Sequence, residues 1–235
     1  MFNFKRFSVC HQRSSMKVGA DAVLLGCWAG VNDGIFLDVG TGCGIIALLL
    51  AQRFNDSFIS AIDCDDDSVE EAKVNFVSSP WSDRLQAIKE VFPDNLTHSD
   101  KKYDLIVSNP PYFDSGIKNP VTKREIARHQ NSLSVYSLIE RGSGLLKPGG
   151  RLSMIYPAGH HKEVLKKSEE MEMECIRCCQ IRNNPSRPVK RIMSEFGKVS
   201  DYGRLEAENT LLTLFESGEP TDEYKSLCKE FYLKF

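Results

Sequence analysis

The chain has 235 residues, 41% of them hydrophobic, enough apolar material for one large α/β domain or two small ones. Its net charge of −2 gives no global sign of a nucleic-acid binder. No apolar run reaches membrane-spanning length, and residues 1–7 lack the h-region and cleavage site of a secretory signal, so the expectation is a cytoplasmic protein without membrane contact.

Along the chain, strand-like and helix-like segments alternate. Residues 35–39 read as a short buried strand ended by glycines, and 45–53 as a helix. A second strand at 58–62 leads to a helix at 65–76, whose first-turn acids suit the helix dipole. Strands follow at 85–90 and 103–108. A helix at 134–146 stops at Lys147-Pro148-Gly149-Gly150. Residues 151–156 make a fifth strand and 161–173 a helix, and 175–181 and 209–215 are strand-like. The alternation predicts a mostly parallel sheet with helices on both faces, which binds ligands outside the carboxyl ends of its strands.

The eight cysteines are spread through these core segments, which argues for reduced thiols rather than a disulfide framework. Cys175-x-x-Cys178-Cys179 has no second ligand pair at comparable spacing, so the cysteines read as small apolar strand residues and no metal is expected. Charge is unevenly placed. Three stretches are rich in Lys and Arg: 1–20, 118–130 and 177–191. The acids concentrate between Asp63 and Glu71. The basic stretches form either one basic face or three solvated loops facing different ways.

Residues 37–44, LDVGTGCG, place Asp38 near the end of the first strand, with Gly40, Gly42 and Gly44 at alternate positions. Dinucleotide sites use G-x-G-x-x-G, and here the third glycine comes one residue too soon. The Asp-x-Gly-x-Gly-x-Gly order resembles the glycine loop of class I S-adenosylmethionine (SAM) methyltransferases. SAM carries an amino group, a carboxylate and a sulfonium cation, and an acid beside the loop suits that ligand. Asp63 ends the second strand, where a carboxylate can accept both ribose hydroxyl protons. Asp65 to Asp67 read as cap and first-turn acids of the next helix. The family's adenine contact falls at Glu90-Val91 and is left open, because Val91 stands where an Asp is common.

Asn109-Pro110-Pro111-Tyr112 resembles the [DNS]-P-P-[YFW] motif of amino methyltransferases. A conjugated exocyclic amine is a poor nucleophile. The Asn109 side-chain oxygen and the Pro110 carbonyl can each accept one of its N–H groups, which directs the lone pair and stabilises the charge that develops on nitrogen. The prolines fix φ so that the carbonyl faces the site. Tyr112 offers a stacking face for the base, and Phe113 lines the same pocket.

The resemblance extends further. FKRFSV (4–9), MKVGADAVLLGCWA (16–29), the glycine loop and its helix, SPW (79–81), SNPPYF (108–113) and ARH (127–129) recur in the order seen in bacterial valine-tRNA adenine-N6 methyltransferases, and the similarity spans essentially the whole chain. It implies SAM as cofactor, tRNA as partner and no obligate protein partner. It implies a Rossmann-like α/β fold with a seven-stranded sheet of order 3-2-1-4-5-7-6. Lys17, Asp21, Asp38, Gly40, Gly42, Gly44 and Asp63 would bind the cofactor, although Lys17 and Asp21 also read as a helix-start pair closing the pocket. Phe113, Arg128, His129, Lys5 and Arg6 would lie near incoming RNA. His129 reads as a phosphate or loop contact rather than a base, since amine methylation needs none. The implied organisation is one methyltransferase domain over 1–235: an N-terminal extension and lid at 1–33, a core at 34–218 and a tail at 219–235.

Four other readings compete. A glutamine N5-methyltransferase acting on protein shares NPPY but carries a helical domain before the glycine loop, and too few residues precede it here. A DNA adenine methyltransferase would carry an inserted recognition domain. A non-catalytic SAM-binding subunit would be signalled by an altered NPPY. A dehydrogenase leaves NPPY unexplained.

Overall fold

The computed structural model describes residues 1–14, 17–93, 101–111, 133–202 and 206–235. Its central sheet has eight strands: β1 (Ile35–Val39), β2 (Phe58–Asp63), β3 (Leu85–Lys89), β4 (Tyr103–Ser108), β5 (Leu146–Pro157), β6 (Met173–Arg182), β7 (Arg191–Lys198) and β8 (Glu208–Thr213). They lie in the order β3-β2-β1-β4-β5-β7-β6-β8. All neighbours are parallel except β7, which runs antiparallel to both β5 and β6.

Because strand side chains alternate, the central strands feed two cores. Phe36 of β1 and Leu105 and Val107 of β4 join α1 (Ala20–Trp28), α2 (Ile45–Arg53) and α3 (Asp66–Val77) on one face. Leu37, Val39 and Ile106 join α4 (Val135–Gly142) and α5 (His161–Glu170) on the other. The α1–α2 crossing is close: a Cβ on Gly26 would stand 2.6 Å from Leu49 Cδ1. Tyr224 and Cys228 of α6 (Asp222–Cys228), with Phe231, bring the C-terminal residues into the first core. No helix among the described residues is long and apolar enough to cross a membrane.

Two sequence expectations change and a third holds. The antiparallel strand beside β5 is Arg191–Lys198, which the sequence pattern did not reveal; the strand-like run at 209–215 instead forms β8, an eighth strand at the edge, parallel to β6. The cause is Glu195, an acid in the middle of β7 with no exposed surface. It is satisfied there by the Gly30 N–H, the Ser153 hydroxyl and the guanidinium groups of Arg151 and Arg177, none of which periodicity can anticipate. Second, Lys147-Pro148-Gly149-Gly150 does not separate helix from strand. α4 ends at Gly142, and the strand begins at Leu146 with these four residues bulging between the pairs Tyr103–Leu146 and Leu105–Arg151. Third, Cys178 and Cys179 point to opposite faces of β6 and enter different cores, the place of small apolar strand residues. All eight cysteines are free thiols, and no cluster of potential metal ligands occurs among the described residues.

Candidate active site

The carboxyl ends of β1, β2 and β4 surround a cavity of about 370 Å³, within the range of roughly 300–1,000 Å³ typical of small-molecule sites. Gly40, Thr41 and Gly42 form one wall. The amides of Gly40 and Thr41 both donate to the Ile62 carbonyl, at 2.9 and 3.0 Å, which folds the loop back over the end of β2. Gly42 has φ +55°, and a Cβ there would meet no protein atom within 4 Å, so a ligand can approach bare backbone. Gly44 has another duty. It has φ +84° at the N-cap of α2, and a Cβ there would lie 2.5 Å from Phe76 Cε1. It lets α2 and α3 meet, and it does not line the cavity.

Asp63 stands at the tip of β2 with its carboxylate held by two backbone donors. Gly42 N–H reaches Oδ2 at 2.9 Å and Asp65 N–H reaches Oδ1 at 3.0 Å. Each oxygen retains acceptor capacity. Asp65 caps α3 through Ser68 N–H and also lines the cavity. At the end of β3, where the sequence left a contact open, Glu90, Val91 and Phe92 all line the cavity.

Asp38 lies beneath the loop, wholly buried, and is not on the cavity wall. Thr41 donates its hydroxyl to Oδ2 at 2.6 Å, while Oδ1 has no hydrogen bond of good geometry. Burial pushes its pKa up to about 7, with Asp63 adding to the rise and Thr41 and the Ala47 amide opposing it. The expectation of a direct cofactor contact therefore becomes one of loop support. Thr41 itself was missed; a buried carboxylate needing a donor was the signal that pointed to it.

Helix α3 fastens the N-terminal segment over this loop. Asp67, Glu71 and Asn75 stand four residues apart on one face. Glu71 accepts the amides of Gln12, Arg13 and Ser14 at 2.7, 3.0 and 2.9 Å. Burial alone would raise the Glu71 pKa, but these amides outweigh it and hold the carboxyl below its usual range. Asn75 pairs with the Cys10 backbone in both directions at 2.8 Å and donates to the Cys43 carbonyl at 2.8 Å. One helix face thus ties residues 10–14 to the glycine loop, and the chain next reaches the cavity at Lys17. Asp21 does not line the cavity, and its Oδ2 accepts from Arg191 Nε at 2.9 Å.

At the end of β4, Ser108 donates to the Val39 carbonyl at 2.7 Å and locks β4 to β1. Asn109 and Pro111 follow at once and line the same cavity as Asp63 and Gly42. Leu133 closes it from the far side; a Cβ on Gly40 would fall 2.7 Å from its Cδ2. Tyr112, Phe113, Arg128 and His129 lie outside the described residues.

Two nominated RNA contacts have other partners. Lys5 Nζ donates to the carbonyls of Lys229 and Phe235, at 2.5 and 3.0 Å. Arg6 lies over the Trp81 ring at 5.6 Å, and Phe7 meets that ring edge-on. The FKRFSV and SPW segments therefore pack on each other. LLGCWA is likewise structural: Arg53 donates to the Gly26 and Ala29 carbonyls, and Arg177 stacks on Trp28 at 3.9 Å.

The cavity fits SAM. Apolar walls from Ile45, Ile46, Ile62 and Phe92 suit an adenosyl body. Lys17 and Asp63 supply opposite charges for its carboxylate, amine and ribose, and the bare Gly42 backbone admits close approach.

The sequence model of the methyltransferase small domain family matches residues 18–176. A tRNA1(Val) (adenine(37)-N6)-methyltransferase of Parabacteroides distasonis is 37% identical, over 99% of this chain and 98% of that protein. One of the same name from Flavobacterium johnsoniae is 36% identical over the full length of both. Among solved structures, a protein described as a predicted O-methyltransferase from Agrobacterium tumefaciens superposes with a TM-score of 0.67 at 18% identity, over 89% of this chain and 96% of that one, which shows the shared fold. With a class I methyltransferase fold and full-length relatives above one-third identity, the chain belongs to the methyltransferase small domain family and, within it, to the tRNA1(Val) (adenine(37)-N6)-methyltransferases.

Proposed function

We propose that the protein is a cytoplasmic SAM-dependent tRNA methyltransferase that modifies N6 of the adenine at position 37 of a valine tRNA, without an obligate protein partner. The observation that carries this reading is the convergence of Asn109 and Pro111 with Asp63 and Gly42 on one cavity. When bound, SAM supplies an electrophilic methyl group on a sulfonium centre.

The chain's own residues bind and orient. Asp63 accepts the ribose hydroxyl protons, its carboxylate already aimed by the Gly42 and Asp65 amides. Lys17, delivered by the Glu71–Asn75 clamp, attracts the carboxylate end. The Asn109 side-chain oxygen and the Pro110 carbonyl each hold one N6 proton of the adenine, so the lone pair points along the line of transfer. Both acceptors hang on β4, which the Ser108–Val39 bond pins beside the glycine loop. Tyr112 supplies the stacking face for the flipped base. Leu133 and Phe92 add apolar surface to the cavity wall, Phe92 at the adenosyl end.

Purified protein, labelled SAM and unmodified tRNA pools test the reading. Label is expected in N6-methyladenosine, in a valine tRNA next to the anticodon. Label recovered only in protein glutamine would overturn it.

A further inference from the structure

Strand order separates the charges at the carboxyl end of the sheet. The cofactor side, at β2 and β3, carries Asp63, Asp65, Asp66, Asp67 and Glu90. The opposite side, at β7 and β6, carries the turn joining those strands, with Arg187 and Lys190 inside it, Arg182 and Arg191 at its ends, and no acid between residues 177 and 191.

This turn is stiff. Asn184 Oδ1 accepts both the N–H and the hydroxyl of Ser186, at 3.1 and 2.7 Å. Arg187 N–H donates to the Asn184 carbonyl at 3.0 Å, and Lys190 N–H to the Ile181 carbonyl at 2.9 Å. Pro185 and Pro188 fix two further φ angles. Its flanks are anchored, Arg182 Nε to Thr213 Oγ1 at 2.8 Å and Arg191 Nε to Asp21. The side chains of Arg187 and Lys190 are exposed and make no hydrogen bond or ion pair among the described residues. A preorganised turn that displays two cations loses little entropy on meeting a charged partner.

Position selects the partner. The cavity reaches α1 at Ala22, the neighbour of the Asp21 that holds Arg191. β7 and β6 lie two and three strands from β4, which puts the turn about 10–15 Å from the Asn109 corner at a strand spacing of roughly 4.8 Å. Screening acts over about 8 Å at physiological salt, so the acidic and basic sides act on different parts of a ligand crossing the crevice. Acids sit on elements bonded to the turn's flanks: Asp21, which pairs with Arg191, and Glu216 and Glu219 of the hairpin whose Phe215 N–H donates to the Asn183 carbonyl.

We propose that the 182–191 turn is a phosphate-docking surface, and that the RNA strand presenting its base to Asn109 runs across the β5–β7–β6 side of the sheet, away from the acidic cofactor side. This rests on the reading that the substrate is RNA. Docking holds the strand while the base enters the pocket. It supplies positioning without base identity, since phosphate contacts carry no sequence information.

The test is the Arg187→Ala/Lys190→Ala double variant of the full chain with unmodified valine tRNA. KM for tRNA is expected to rise about tenfold, and the slope of log affinity against log salt to become shallower by about one to two. SAM affinity, and kcat at saturating tRNA, should not change. The Arg187→Lys/Lys190→Arg exchange, which keeps both charges, should restore most of the salt slope. An unchanged KM and salt slope in the Ala variant, with wild-type protein methylating tRNA normally, would overturn the docking surface alone. Wild-type protein that methylates no tRNA would overturn the parent reading and the surface with it.

Discussion

Asn109→Ala is expected to lower kcat by about 10²–10³-fold, the cost usual for removing one preorganised hydrogen-bonding group from a transition state, while SAM affinity stays unchanged. The reasoning is geometric. Asn109 follows the β4 strand that Ser108 fastens to β1, and the Ser108–Val39 bond remains when the Asn109 acceptor is removed. In the proposed mechanism the amide faces the substrate amine, whereas the cofactor is held by groups at the ends of β1, β2 and β3, which line the same cavity. Asn109→Asp keeps an acceptor oxygen and should retain more activity than the Ala variant. Single-turnover assays at saturating SAM, with calorimetric titration of the cofactor, separate the two effects. Near-normal turnover in Asn109→Ala would remove the side-chain amide from the mechanism.

The second large effect is expected at Asp63. Asp63→Ala should weaken SAM binding about 10- to 100-fold, the equivalent of one charge-assisted hydrogen bond of roughly 1.5–3 kcal/mol. Two contributions add. The ribose hydroxyls lose their acceptor, and the Gly42 and Asp65 amides lose the carboxylate that now fixes the loop. Asp63→Asn keeps one acceptor oxygen and should fall between the two. Because this residue acts on the cofactor and not on the amine, saturating SAM should restore most of kcat in all three proteins. A wild-type dissociation constant for Asp63→Ala would contradict the assignment.

Legibility from sequence followed how local each determinant is. β1, α2 and β4 appeared at their observed bounds because short apolar runs ended by glycines or prolines mark buried parallel strands and the helices between them. The glycine loop and Asn109-Pro110-Pro111 were readable because each meets a backbone requirement within a few residues. β7 was not, since its Glu195 is tolerated only through Arg151, Ser153, Arg177 and Gly30, residues distant in sequence. The partners of Lys5, Arg6 and Asp21 were hidden for the same reason, because each comes from a distant segment: residues 229 and 235, Trp81 and Arg191. The clamp made by Asp67, Glu71 and Asn75 was half visible as acids on the face of α3. The partners of Glu71, the bare amides of residues 12–14, carry no sequence signature at all.

That clamp also explains how a chain of this size organises its cofactor site. In the structure, the 10–14 segment, α3 and the glycine loop share one set of hydrogen bonds. Lys17, three residues past that segment, lines the same cavity as the loop.

The central claim is spatial: the cofactor's reacting sulfur and the two oxygens that hold the amine share one corner. A crystal structure with bound S-adenosylhomocysteine measures this directly. The adenosyl group is expected among Asp63, Glu90 and Phe92, with the sulfur facing the Asn109 side chain and the Pro110 carbonyl. A ligand seated elsewhere, or one whose sulfur points away from that corner, would contradict the account.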